Sequence, residues 1–279
     1  MSGTISDALY AATQELAQAG IDNAAVDARH LVAFAMQVPT DRLNLVLNDT
    51  VTRAGLDALD KAIAARLERR PVSHIIGHRQ FWGRSFKVTP DVLDPRPETE
   101  TLIEAALKGT YSKVLDLGTG SGCILLTLLA ERANSTGMGV DVSPEAMEVA
   151  LANRKALGLD RPAIFALSDW FNKVIGSFDL IVSNPPYIAL PEMAGLAPEV
   201  LRWEPMSALT PGLTGLEAYQ MIAAGIQQFL APAGRVLLEV GPSQSAAVSQ
   251  MFQAKGLDFV GMHKDFDGRE RVVELCKPA

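Results

Sequence analysis

Lys113-Val114-Leu115-Asp116-Leu117-Gly118-Thr119-Gly120-Ser121-Gly122-Cys123-Ile124-Leu125-Leu126 is the stretch whose reading decides the fold. Residues 114–117 form a short apolar run of the kind buried inside a parallel sheet. Three glycines at alternate positions follow, and from Cys123 the chain reads as a helix to residue 132. Glycines let a backbone turn sharply and approach a ligand closely, and a helix N-terminus presents free N–H groups. The spacing is G-x-G-x-G, and Cys123 stands where a G-x-G-x-x-G fingerprint needs its third glycine. A tight strand-to-helix turn without any ligand would use the same glycines.

Working outward, the alternation continues. Residues 138–142 read as a second strand, ending near Asp141, and a helix spans 144–157. Strands three and four fall at 163–167 and 178–183, and a helix at 215–230 precedes a fifth strand at 235–240. The last two strands, 257–263 and 271–276, are joined by a short polar segment. Strand-helix alternation implies a doubly wound parallel sheet. The final pair has no room for a crossover helix, so one member must run antiparallel. A mostly parallel, Rossmann-like sheet with an antiparallel terminal strand resembles the class I methyltransferase fold.

Two residues narrow the ligand. Asp141 ends the second strand, about 20 residues beyond the turn, where a ribose diol is gripped in such folds. Asp116 precedes the first glycine; a carboxylate there repels a pyrophosphate but suits the cationic amine of S-adenosylmethionine. The cofactor site is therefore expected at Asp116, Gly118, Thr119, Gly120, Ser121, Gly122 and Asp141. Ser168-Asp169-Trp170 follows strand three, where a nucleotide base would lie. Asp169 is a candidate acceptor for an adenine amino group and Trp170 a candidate flat contact, although a core tryptophan in an exposed loop reads the same way.

The remaining sequence sets bounds. The 279 residues exceed the roughly 150 typical of one domain and suffice to bury a core without disulfides or metals. Hydrophobic residues at 48% and charged residues at 20% exclude a disordered tail. A net charge of −7 argues against a chain whose main task is to coat nucleic acid or an anionic membrane. Two cysteines, Cys123 and Cys276, cannot build a disulfide framework or a four-thiolate zinc site. The first twenty residues carry Asp7 and Glu15 and read as neither signal peptide nor membrane span. These features together lead us to expect a reduced, cytoplasmic protein.

Residues 1–72 read as helices only: Ile5, Leu9, Ala12 and Leu16 recur at helical spacing before Gly20, a second helix fits 24–36, and a third fits 56–67. Residues 73–97 form a linker, with an aromatic hairpin turning at Gly83 and then Asp94-Pro95-Arg96-Pro97-Glu98, read as a stiff connector. Residues 98–279 form the sheet domain. His74 and His78 are four apart but lack the Glu of H-E-x-x-H and a third ligand, so no metal is expected. Glu68-Arg69-Arg70, with Arg79 and Arg84, reads as a solvated face, and Cys123 as a small core residue.

Ser183-Asn184-Pro185-Pro186-Tyr187 directly follows strand four, at the carboxyl edge of the sheet. Two consecutive prolines fix φ and remove both backbone donors, so the Pro185 carbonyl is held rigidly. The Asn184 side-chain oxygen and that carbonyl together accept both hydrogens of one planar –NH2 group, and Tyr187 offers a face to stack on it. D-x-G-x-G-x-G followed by N-P-P-Y resembles the amino-methyltransferases, which act on base amino groups or on a glutamine amide. Arg79-Gln80-Phe81-Trp82-Gly83, Pro95-Arg96-Pro97-Glu98-Thr99-Glu100, Glu204-Pro205-Met206-Ser207-Ala208-Leu209 and Gly215-Leu216-Glu217-Ala218-Tyr219 narrow this. With these strings the whole chain resembles the HemK/PrmC family; Asp94, where that family commonly has an aliphatic residue, is the one departure. The resemblance implies methyl transfer from S-adenosylmethionine to the glutamine amide of the GGQ motif in class-1 peptide chain release factors. S-adenosylhomocysteine is the product, Asn184, Pro185, Pro186 and Tyr187 hold the substrate, and Asn184 also borders the cofactor. The helical region would recognise the substrate. Neither direct nucleic-acid binding nor membrane association is expected, and the chain is expected to be a monomer. The competing readings are an adenine-N6 methyltransferase of DNA or RNA with a base flipped onto Tyr187, and a binding module that has lost turnover. The acidic balance and small helical region oppose the first, and the intact motifs the second.

Overall fold

A computed structural model describes residues 3–278. The chain divides into two compact units: residues up to Gly77 together with Ala197–Trp203, and His78–Leu196 with Glu204 onward.

The first unit is helical, with helices at Ile5–Gln18, Ala24–Ala35, Arg53–Leu67 and Val72–Ile76, and a fifth at Pro198–Trp203. Thr4 starts the first with a capping box: its hydroxyl accepts from the Asp7 N–H while the Asp7 carboxylate accepts from the Thr4 N–H. Leu16, Leu31, Val32 and Leu43 are fully buried at its centre. Arg66 is buried beside them and pairs with Asp27 at 2.7 Å and Glu199 at 3.0 Å. The basic run after it is not the solvated face its sequence suggests. Arg69 reaches Glu199 at 3.5 Å and Arg70 lies 4.4 Å over the Trp203 ring. Their partners lie more than a hundred residues away in the chain, which is why local sequence could not show them.

The second unit is built on a seven-stranded sheet and a separate hairpin. The hairpin strands β1 (His78–Phe81) and β2 (Arg84–Lys87) turn through Trp82 and Gly83, whose φ values of 48° and 70° are those a two-residue I′ turn demands. The sheet strands are β3 (Lys113–Leu117), β4 (Thr136–Asp141), β5 (Ala163–Leu167), β6 (Phe178–Ser183), β7 (Leu230–Glu239), β8 (Asp258–Lys264) and β9 (Glu270–Cys276). Their order is β5-β4-β3-β6-β7-β9-β8. All run parallel except β9, which slots antiparallel between β7 and β8. Helices cover both faces, so β3 is buried on both sides: Leu115 and Leu117 pack toward Tyr219 and Ile222, Val114 toward Ile103 and Leu125. Three helices of this unit have no counterpart in the pattern read above, Glu100–Lys108, Ser245–Gln253 and the short Met206–Leu209; the second is the crossover between β7 and β8. Asp94 is buried, and Arg79 lies 3.7 Å from its Oδ2, supplying the charge that an aliphatic residue would not need. Among the described residues no helix is long and apolar enough to cross a membrane.

Candidate active site

β3 and β6 are neighbours, yet the chain leaves β3 toward one edge of the sheet and β6 toward the other. A crevice opens at such a switch point, beyond the carboxyl ends of the strands. Gly118 and Gly120 both take positive φ there, 68° and 53°, and a Cβ on either would meet only open space. The Gly120 N–H donates to Asp141 Oδ2 at 2.9 Å, and Asp141 Oδ1 accepts from the Ser143 N–H at 3.0 Å. The carboxylate closing β4 is thus pinned by two backbone donors, with lone pairs left on each oxygen for a ligand. Asp116 is fully buried; the Thr119 hydroxyl donates to its Oδ2 at 2.6 Å and Oδ1 has no partner. Burial pushes its pKa up to about 7, against the Thr119 bond that lowers it.

A cavity enclosing about 1000 Å³, counting its open mouth, runs from this turn to the N-P-P-Y loop. Of the residues expected to bind, Gly118, Thr119, Gly120, Ser121, Asp141, Asp169, Trp170, Asn184 and Pro186 line it. Asp116, Gly122, Pro185 and Tyr187 are not on its wall. A Cβ on Gly122 would press on Leu126 and Phe165 at 3.1 Å, so that glycine serves close helix-strand packing. Trp170 meets both of its readings: it lines the cavity and packs on the core. Its loop winds on the Ser168 hydroxyl, which donates to the Trp170 carbonyl at 2.9 Å and accepts from the Lys173 N–H at 2.9 Å.

Six further residues of the cavity lining carry no assignment from sequence: Val92, Arg96, Thr99, Pro205, Ser207 and Ala208. The signal for them was present, since most lie in the two strings P-R-P-E-T-E and E-P-M-S-A-L. Arg96 and Glu204 join those strings, with one guanidinium nitrogen 2.7 Å from each carboxylate oxygen. Burial pushes the Glu204 pKa up although the Arg96 charge opposes it.

At the end of β6 the Ser183 hydroxyl donates to the Leu117 carbonyl at 2.7 Å, fastening the two central strand ends together. Asn184 Nδ2 donates to Thr99 Oγ1 at 3.1 Å. The Tyr187 carbonyl accepts from Gln244 Nε2 at 2.8 Å, and its hydroxyl lies 3.4 Å from Glu239 Oε1. A Cβ on Gly215 would come within 2.5 Å of the Tyr187 carbonyl, so only glycine lets the two loops pass.

Comparison with known proteins agrees with this geometry. Residues 7–77 match the family described as PrmC N-terminal domain, and residues 92–201 match the methyltransferase small domain. The release factor glutamine methyltransferase of Cereibacter sphaeroides is 53% identical over 98% of this chain and 99% of its own. That of Rhodospirillum rubrum is 46% identical over 91% of this chain and 79% of its own. Among solved structures, a methyltransferase from Pyrococcus furiosus superposes with a TM-score of 0.55 at 17% identity, over 71% of this chain and 91% of that one. A 16S rRNA N2-G1207 methyltransferase of T. thermophilus gives 0.52 at 20% identity, over 72% and 49%. At those identities the structures speak for the class I fold alone. The sequence matches run nearly end to end at high identity, and by them this chain belongs to the release factor glutamine methyltransferase family.

Proposed function

We propose that this protein transfers a methyl group from S-adenosylmethionine to the side-chain amide nitrogen of the glutamine in the GGQ motif of class-1 release factors. The observation that carries the reading is that Asn184 and Pro186 share one cavity with the Gly118–Ser121 turn and Asp141. A donor and an acceptor held in that cavity meet at short range.

The residues fit the donor. The bare faces of Gly118 and Gly120 admit a close ligand, Asp141 offers lone pairs to a ribose diol, and Asp116 has an oxygen that lacks a partner. Trp170 and Asp169 line the same cavity and are the side chains this reading offers to the adenine. When bound, S-adenosylmethionine supplies an electrophilic methyl on a sulfonium. Every other part of the reaction is positioning. An amide nitrogen is a poor nucleophile because its lone pair is delocalised. Asn184 Oδ1 and the Pro185 carbonyl each accept one of its hydrogens, which raises its electron density and aims it. Tyr187 bounds the planar group, and after transfer the nitrogen sheds one proton to water.

The test is transfer of labelled methyl from S-adenosylmethionine to a purified class-1 release factor, with DNA and RNA as parallel acceptors, and mass spectrometry of the product. Label on the GGQ glutamine supports the reading. Label on nucleic acid, or on another residue, overturns it.

A further inference from the structure

The Asn184 side chain is useful to an –NH2 substrate in only one of its two orientations. Turned over, it would present its own –NH2 and repel the donor it must hold. We propose that Thr99 and Glu239 are positioning residues for Asn184, forming a hydrogen-bond relay behind the N-P-P-Y loop that keeps the Asn184 oxygen toward the substrate. The proposal rests on the functional reading above only for what that oxygen holds.

The geometry begins with Asn184 Nδ2, which donates to Thr99 Oγ1 at 3.1 Å. A threonine hydroxyl has one hydrogen to give, and the Glu239 carboxyl, one of whose oxygens lacks a partner, lies near enough to take it. Glu239, at the end of β7, is 1% exposed. Its Oε1 faces the Tyr187 hydroxyl at 3.4 Å, and its Oε2 has no partner of ordinary geometry, which leaves it open to Thr99. The polarity of the chain follows from chemistry. An ionised carboxylate only accepts, so Thr99 must donate to it and has only lone pairs left for Asn184. Asn184 is then forced to offer Nδ2, and Oδ1 is left for the substrate. A protonated Glu239 has a hydrogen of its own to give. It releases Thr99 to donate the other way, and the orientation of the amide is no longer imposed.

Charged and titratable groups reach Glu239 from several elements. Arg271 on β9 favours its ionised form, Glu98 from the turn before Thr99 opposes it, and Tyr187 donates from the loop after β6. Tyr219, from the helix Glu217–Phe229, donates to the Glu239 main-chain carbonyl at 2.8 Å, and Cys123 lies close enough to feel the charge. Part of the Arg271 charge is taken by Asp265 at 3.0 Å. The balance leaves burial dominant and the Glu239 pKa at about 7. Relay polarity is therefore lost as pH falls through that value.

Thr99→Val keeps the shape and removes the hydroxyl; Thr99→Ser keeps the hydroxyl; Glu239→Gln removes the acceptor-only end. Turnover is measured on a GGQ peptide at saturating cofactor, and the Asn184 side-chain 15N–H signals are followed by NMR with no acceptor present. Thr99→Val should lower kcat about ten- to hundredfold, by comparison with the loss of one oriented transition-state contact. It should also shift the Asn184 signals, while Thr99→Ser restores both. Glu239→Gln should flatten the fall of kcat below pH 7. Absence of wild-type transfer to the peptide would sink the functional reading, while the Asn184 signals would still report the relay. Unmoved Asn184 signals, or a wild-type kcat in Thr99→Val, would overturn the relay. So would a loss in which kcat, cofactor affinity and thermal midpoint all fall together and Ser does not rescue.

Discussion

The two carboxylates proposed for the cofactor end sit in different surroundings: Asp141 lines the cavity and Asp116 is buried behind it. Asp141 is held by the Gly120 and Ser143 N–H groups at 2.9 and 3.0 Å, so it anchors the turn as well as any ligand. Asp141→Ala should weaken S-adenosylmethionine binding by about 1.5–3 kcal/mol, the usual worth of a charge-assisted hydrogen bond, or roughly ten- to hundredfold. Isothermal titration checks this, and unchanged affinity would remove Asp141 from the site. Asp116 is different because it is fully buried and its pKa is pushed up to about 7. A cationic amine needs the ionised form, and below pH 7 the carboxyl is mostly protonated and must first lose its proton. Affinity should then fall by up to about tenfold per pH unit below 7 and level off above it. Asp116→Asn, titrated by calorimetry from pH 5.5 to 8, should bind more weakly than wild type at pH 8 and show no such slope. A slope retained in that variant would assign the titration to another group.

At the scale of elements, Arg96 and Glu204 clamp the connector to the short helix Met206–Leu209, and both segments line one cavity. Arg96→Ala leaves a buried carboxylate without its cation. It should cost about 1–3 kcal/mol, discounted because the arginine is partly exposed, and it should loosen cofactor binding. The double variant Arg96→Met with Glu204→Leu should recover most of the stability in thermal unfolding; a double variant as unstable as the single would mean the charge was not the issue. How far the sequence showed these elements depended on where their signals lay. The strand-glycine-helix stretch and the strand at 178–183 each carry their pattern within a few consecutive residues, and both stand where it puts them. The helix Ser245–Gln253 escaped because two of its four buried positions are serines, Ser245 and Ser249 beside Val248 and Phe252, so its inner face does not read as apolar. The helix Glu100–Lys108 was hidden by the prolines before it: Pro97 reads as a stiff connector, yet it also opens the 3-10 turn that leads into the helix. The N-P-P-Y loop was legible as chemistry, but Thr99 and Glu239 behind it are 85 and 55 residues from Asn184 in sequence, and only folding assembles them.

The whole molecule must solve a recognition problem that the pocket cannot. A glutamine side chain offers few atoms, and even the best small ligands gain at most ~1.5 kcal/mol per heavy atom. Choosing one protein among many needs a larger surface, and we assign it to the helical unit, which takes no part in building the sheet or its cavity. That unit is not simply the N-terminal segment. Ala197–Trp203, which follows the N-P-P-Y loop in sequence, belongs to it, with Glu199 paired to Arg66 and Trp203 under Arg70. A plain truncation after Gly77 would strip those partners and leave a bare indole and an unpaired carboxylate on the remaining chain. Deletion of residues 1–77 should therefore be combined with Trp203→Ser and Glu199→Gln, and folding checked by circular dichroism. Such a chain should keep its cofactor affinity and its KM for a short GGQ peptide to within about twofold, while KM for the intact release factor rises by at least about tenfold, the equivalent of ~1.4 kcal/mol of lost contact. Steady-state kinetics on both substrates decides the matter: equal losses on peptide and protein would mean that the helical unit supports the fold and recognises nothing.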